Sequence, residues 1–266
     1  MAIPIRDDRS RAVVPWVTLA LVVANVVIFL FVQPSGFQFG ASEDAVDQQQ
    51  TWQLRDRDEF LYRYGTVPCE VVARQALADD PADCVGPRSD FLPDDKAILL
   101  SLLTAIFLHA SIDHLAGNLL FLWVFGAHVE QRLGRANFLG LYVGGGVLAS
   151  LAFVALHQRS AEPLIGASGA IAVAMGAYLV LVPRGRVLTV IVSAALQVVY
   201  VPAAVVLALF FVTQFFIDDE GVAWEAHAAG MLIGIAGALV LSRIPAVRER
   251  GRQQELDADL RVGREF

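Results

Sequence analysis

The sequence predicts an all-α, polytopic membrane protein, a bundle of six transmembrane helices. Three observations predict it. The first is apolarity: 56% of the 266 residues are hydrophobic and the mean hydropathy is +0.56, whereas a water-soluble domain needs more polar cover. The second is the length of the uncharged runs. Residues 12–32 hold 21 positions without a charge, and about 20 residues at 1.5 Å each cross a hydrocarbon core of roughly 30 Å. The third is that arginine-rich and acidic connections alternate between those runs.

Taken in order, residues 1–11 form an N-terminal segment carrying Arg6, Arg9 and Arg11. The first span, 12–32, lacks a small-residue cleavage site and is long enough to cross, so it reads as a retained helix and not a signal peptide. A connection follows, 41–96, with 13 acidic and 6 basic groups. The second span is 108–129, followed by Arg132 and Arg135; the third is 138–156; the fourth is 164–182, followed by Arg184 and Arg186. Residues 187–217 are 31 positions without a charge, too long for one span and too short for two. Pro202 divides them, leaving 187–201 as a segment at the membrane edge and 203–217 as a short fifth span. The sixth span is 222–242. Arg243, Arg248, Arg250 and Arg252 follow it and open a polar tail, 243–266, expected to be solvated. The membrane domain is therefore 12–242, loop 41–96 included.

Short connections rich in arginine stay in the cytoplasm. That rule puts both termini inside and the 41–96 loop outside, and a seven-span reading would strand the arginine-rich tail on the wrong side. The net charge of −7 equals that of the loop alone. No basic stripe is left to suggest nucleic acid. Nothing in the sequence fixes an oligomeric state. Cys69 and Cys84 lie 15 residues apart in the outward loop. A disulfide between them suits an oxidising compartment, two free thiols being the other reading.

Polar residues inside the spans gather at one depth. From Ser168 to Val182 is 14 steps, from His227 to Ser242 is 15, from Asn118 to Glu130 is 12 and from His114 to Glu130 is 16. At 1.5 Å per step these residues stand about 18–24 Å above the inner face. Ser168, in GASGA (166–170), sits at a helix start below the outer surface, and non-helical backbone at such depth requires protein or a water-filled cavity around it. His114 and Asn118, four apart, share a helix face. Ala226, Gly230 and Gly234 repeat every four residues, and Gly169, Ala172 and Gly176 lie on the fourth span. Small residues so spaced let helices approach closely.

The fragments HASIDHLAGN (109–118), EQRLG (130–134), GASGA (166–170) and AHAAGMLIG (226–234) resemble, in order and spacing, the rhomboid intramembrane serine proteases of bacterial type. The resemblance covers about 97–242. It implies a six-span rhomboid-like bundle in a bacterial plasma membrane, Ser168 as nucleophile and His227 as general base. It also implies that Asn118 and His114 flank the oxyanion site, and that Glu130 and Arg132 form a structural pair at the inner end of the second span. The long acidic loop departs from the family, lacking the tryptophan–arginine pair many relatives carry.

The chemistry agrees with the resemblance. Serine needs a base to take its proton, and histidine is suited to that near neutral pH. No carboxylate lies beside His227 at its depth, so a Ser–His dyad is the expected unit. The oxyanion would be met by the Ser168 N–H, the Asn118 amide and His114. Substrates would be transmembrane segments of other proteins in the bilayer, cut near the outer face. No metal and no cofactor are expected: His109 and His114 are five apart, off one helix face, and no cysteine lies at that depth. His109 is assigned a structural hydrogen bond, and His128 and His157 positions near the membrane edges. A non-cleaving pseudoprotease that binds client helices, and a solute transporter, are the competing readings. The first would lack Ser168 or His227; the second would need polar residues through the full depth. The loop cysteines do not reach the polar slab, so activity is expected to survive their replacement.

Overall fold

The computed structural model describes residues 2–7, 14–34, 48–79, 83–86, 89–192, 196–214 and 223–262. It is predominantly helical with one small sheet. Three helices are long and apolar enough to cross a bilayer by themselves: Ile112–Leu133, Arg135–Leu156 and Trp224–Leu241. Four apolar helices are shorter: Trp16–Val32, Ile98–Phe107, Ser168–Leu181 and Ala203–Thr213.

The first span comprises α1 (Trp16–Val27) and a π turn, Ile28–Val32. In the second, α5 (Ile112–Phe121) passes through a π turn, Leu122–Gly126, into α6 (Ala127–Leu133). Its start is set by Ser111, whose hydroxyl accepts the His114 N–H at 3.2 Å, satisfying one of the donors a helix start leaves open. Leu108 is extended, so the helix begins later than position 108. The third span is α7 (Arg135–Leu156), the fourth α8 (Ser168–Leu181), the fifth α9 (Ala203–Thr213) and the sixth α10 (Trp224–Leu241). Pro202 stands at the N-cap of α9, where its missing N–H costs nothing. Residues 215–217 of the expected fifth span and 222 of the sixth lie outside the described residues.

The core is wedged around α8. Leu122 and Phe125 from the second span, Phe138 and Tyr142 from α7, and Ile171, Met175 and Tyr178 from α8 are all buried. On its other side α8 meets α10 through backbone. A Cβ at Gly234 would strike the Val173 carbonyl, one at Gly176 the Met231 carbonyl, and one at Gly230 the Gly169 carbonyl. Lipid tails are as apolar as leucine, so helices in a bilayer gain by close van der Waals contact, and glycine permits it.

Two regions differ from the sequence expectation. The described residues of the edge segment 187–201 are strands: β2 (Arg186–Val192) pairs antiparallel with β3 (Leu196–Pro202), and β1 (Ala2–Asp7) pairs antiparallel with the other edge of β2. Val187 and Thr189 of β2 are buried while Val198, Val199 and Tyr200 of β3 are exposed. A run of β-branched residues with no charge favours the pleated ribbon over a helix. The tail, expected to be solvated, contains α11 (Pro245–Val262). Val247 is buried, Arg250 donates to the Leu133 carbonyl at 2.9 Å and Gln254 to the Gln131 carbonyl at 3.1 Å. These carbonyls belong to the end of α6 and lack helical partners, which is what a polar helix can satisfy.

The described part of the 41–96 loop is itself folded. It contains α2 (Gln48–Tyr64), α3 (Pro68–Ala73) and, just beyond it, α4 (Ile98–Thr104). Tyr62, Val67, Cys69 and Leu77 pack with Ala161, and Cys69 and Cys84 are joined by a disulfide. Lys96 pairs with Glu70, their side chains 0% and 2% exposed. Glu70 also accepts the Leu77 N–H at 2.7 Å. Burial pushes the Lys96 ammonium below its ordinary value, and the Glu70 carboxylate opposes that shift.

Candidate active site

Ser168 is the first residue of α8. The first N–H groups of a helix have no partner inside it, so the Ser168 amide opens onto the space before the helix. Two residues earlier Gly166 has φ 126°, a conformation that strains any side chain, and its N–H donates to the Ala105 carbonyl at 2.9 Å. A Cβ on Gly166 would lie 3.0 Å from Cε1 and Nε2 of His114 and 3.5 Å from Ser168 Oγ. The His114 ring and the serine hydroxyl therefore flank one bare backbone position.

Asn118 follows His114 by one turn on α5. It is buried, and its Nδ2 has no hydrogen-bond partner. An orphaned donor of this kind costs about 1–3 kcal/mol, so its place beside a candidate reaction site is notable chemically. His109 is fully buried with neither ring nitrogen partnered. Its ring stands edge-on to His114 with centroids 5.2 Å apart. The structural hydrogen bonds expected of it belong to its main chain: Gln33 Nε2 donates to the His109 carbonyl at 2.6 Å and Gln33 Oε1 accepts the His109 N–H at 3.3 Å.

His227 lies in the first turn of α10 and is buried. The seam brings that turn to the start of α8, since the Ala226 carbonyl is 4.0 Å from a Cβ position on Gly169. Among the described residues no hydrogen bond joins Ser168 Oγ to His227. His227 Nδ1 instead faces Gln214 Oε1 at 3.1 Å, and its ring lies 6.2 Å from that of Phe210. Gln214 was not singled out in the sequence. The signal was there: a single amide near the end of the uncharged run 187–217, since polar groups in a membrane helix usually face a cavity.

Glu130 and Arg132 hold two different segments. Glu130 accepts from the Val17 and Thr18 N–H groups at 3.0 and 2.8 Å and from the Thr18 hydroxyl at 2.8 Å, fastening the start of α1. Arg132 donates to the Gly251 carbonyl at 2.8 Å, fastening α11. His128, expected near a membrane edge, is buried, with Nδ1 3.0 Å from the Val124 carbonyl, because α6 turns that face onto Tyr178. His157 is partly exposed at the end of α7, its Nε2 3.1 Å from Glu225 Oε1.

The chain entering the site is gripped from the loop. Thr66 and Leu164 exchange both backbone hydrogen bonds, at 3.0 and 2.8 Å. Val85 donates to Arg159 and accepts from Ala161, at 2.7 and 2.9 Å, and Cys69 donates to Ser160 at 3.0 Å. Residues 159–164 are thus a strap held by the disulfide-linked unit, and Ser168 follows four residues on. The loop cysteines, remote from the polar slab by sequence, are connected through this strap to the serine.

Residues 96–244 match the family model described as Rhomboid domain. Among curated proteins, the chain is 45% identical over 78 residues to the "Rhomboid protease GluP" of Bacillus subtilis, covering 29% of this chain and 15% of that one. It is 29% identical over 169 residues to "Rhomboid protein 1, mitochondrial" of Saccharomyces cerevisiae, covering 60% of this chain and 46% of that one. It is 33% identical over 98 residues to the human "Presenilin-associated rhomboid-like protein, mitochondrial", covering 35% and 25%. The match spans about a quarter of the length of these last relatives.

Proposed function

This chain belongs to the rhomboid family, and on that premise we propose that it is an intramembrane serine endopeptidase in which Ser168 and His227 cleave transmembrane segments of other membrane proteins near the outer face. The observation that carries the reading is the convergence at the start of α8. A Cβ on Gly166 would lie 3.0 Å from the His114 ring and 3.5 Å from Ser168 Oγ, and the Ala226 carbonyl, next to His227, is 4.0 Å from a Cβ position on Gly169; these contacts support the reading. The name of the Bacillus relative supports the reaction class.

In this mechanism His227 takes the proton from Ser168 Oγ as the oxygen adds to the substrate carbonyl carbon. The oxyanion accepts hydrogen bonds from the Ser168 N–H and Asn118 Nδ2, with His114 beside them. His227 then returns the proton to the leaving nitrogen, the peptide C–N bond breaks, and an ester on Ser168 remains. Water, deprotonated by the same histidine, hydrolyses that ester. No step in this mechanism calls for a metal. The arginine asymmetry supports placing both termini on the cytoplasmic side of the membrane. Two of the relatives are named as mitochondrial, and the bacterial plasma membrane is proposed against those names from the resemblance to bacterial-type rhomboids.

The test is cleavage of a transmembrane reporter by the purified protein in liposomes. Wild type should cut and Ser168→Ala should not. Binding of the reporter by both, with cleavage by neither, would favour the pseudoprotease.

A further inference from the structure

We propose that Gln214 is a positioning residue for the base: its side-chain carbonyl fixes the tautomer and the ring orientation of His227. The proposal rests on the reading of His227 as general base. An imidazole can serve Ser168 through one nitrogen only if that nitrogen is bare and the other carries the proton. A neutral histidine left to itself populates both forms. Gln214 Oε1 lies 3.1 Å from His227 Nδ1; in this amide orientation the oxygen only accepts, and on this proposal the proton sits on Nδ1 and Nε2 is left as the basic nitrogen. This is the office that a buried carboxylate performs in a serine–histidine–aspartate triad, and the sequence offers no carboxylate beside His227. A neutral amide suits a membrane interior, where a charged third member would be costly.

The fold makes the contact dependable. Gln214 directly follows the last residue of α9 and keeps helical backbone angles. Phe210, one turn before it, shares that face of α9. Phe210 packs against Phe121 of α5 with the rings tilted and their centroids 4.7 Å apart, and its ring centroid stands 6.2 Å from that of His227. Two side chains of α9 therefore bound the imidazole, the aromatic one by packing and the amide one by a directed hydrogen bond. The arrangement also makes the state of the base depend on where α9 sits. A displacement of α9 away from α10 would release Nδ1 and return the ring to a mixture of tautomers.

The experiment uses the full chain in lipid nanodiscs. The first readout is the 15N spectrum of selectively labelled histidine. Wild type should show His227 protonated at Nδ1, and Gln214→Leu should move the proton toward Nε2. The second is the rate at which a fluorophosphonate labels Ser168. Gln214→Leu should slow it about ten- to hundredfold, below the roughly 10⁴ seen when a triad histidine is forced into the wrong tautomer. Gln214→Glu, which keeps an acceptor, should stay within about threefold of wild type. The loss should fall on kcat of reporter cleavage with KM held. The proposal is overturned if wild-type Nδ1 is unprotonated, or if Gln214→Leu labels at the wild-type rate. The spectrum of the wild type decides the matter even if the leucine variant does not fold. Failure of the base assignment would look different: His227→Ala would then still be labelled.

Discussion

The α8–α10 seam and the loop unit of residues 48–96 solve the same problem, fixing the start of α8, by opposite means. Among the described residues the seam shows no ion pair and no covalent link; it is made of glycines set against carbonyls, Gly234 on Val173 and Gly176 on Met231. The loop unit packs only a few apolar residues and adds a disulfide, Cys69–Cys84, and the Glu70–Lys96 pair with both side chains buried. The difference follows from the solvent. In hydrocarbon there is no hydrophobic gain between helices, so proximity itself must stabilise. In water a small core gains too little from burial and needs staples. Both converge on Ser168, one from α10 and one through the strap 159–164.

That comparison can be broken at several points. The largest effect is expected from Lys96→Met, which leaves the Glu70 carboxylate buried without its cation. Removing one member of a buried pair costs about 3–5 kcal/mol. Hydrogen exchange should rise sharply at Thr66–Val71 and along the strap, while exchange in the middle of α8 stays slow; loss of protection across the whole bundle would show that the loop is not a separate unit. Next comes the double change Cys69→Ser, Cys84→Ser. Closing a loop of 15 residues is worth about 3 kcal/mol. Labelling of Ser168 should fall severalfold with the strap loosened, against the expectation from sequence that activity survives; unchanged labelling would mean the strap does not set the serine.

On the seam, Gly234→Ala drives a methyl group into the Val173 carbonyl, at about 1–3 kcal/mol for overpacking. The thermal midpoint in detergent should drop, with the disulfide and the loop's own protection intact. An unchanged midpoint would mean that α8 and α10 are not in backbone contact. The smallest effect is expected of Ser111→Ala, which removes the N-cap of α5 at a cost of about 1 kcal/mol. It should slow labelling less than Gly166→Ala, which strains a φ of 126° and crowds His114 against Ser168.

The seam was legible in the sequence because its signals are local: small residues every four positions, and GASGA and HASIDHLAGN within uncharged runs. Counting steps at α-helical rise grouped Ser168, His114, Asn118 and His227 at one depth, although the second span passes through a π turn, Leu122–Gly126, on the way to Glu130. What the sequence withheld depends on partners far away. Thr66 meets Leu164 across 98 positions and Glu130 meets Thr18 across 112, and no spacing rule announces either. Glu70 counted only as one more acidic group in a loop of net negative charge, though it is the anion of a buried pair. The 187–201 run looked apolar enough for the membrane edge, but its first strand pairs with β1 across 180 or more positions, and β1 is only six residues long. Gln214 was passed over because a single amide has no periodicity.

The central claim, that Ser168 and His227 act together at the start of α8, is tested most directly by covalent labelling. The purified full chain in lipid is exposed to a fluorophosphonate, and the modified residue is located by mass spectrometry in wild type, Ser168→Ala and His227→Ala. A single adduct on Ser168 in the wild type, absent from both variants, is the expected result. Labelling of Ser168 that persists at the wild-type rate in His227→Ala, or an adduct on another serine that survives Ser168→Ala, would contradict the account.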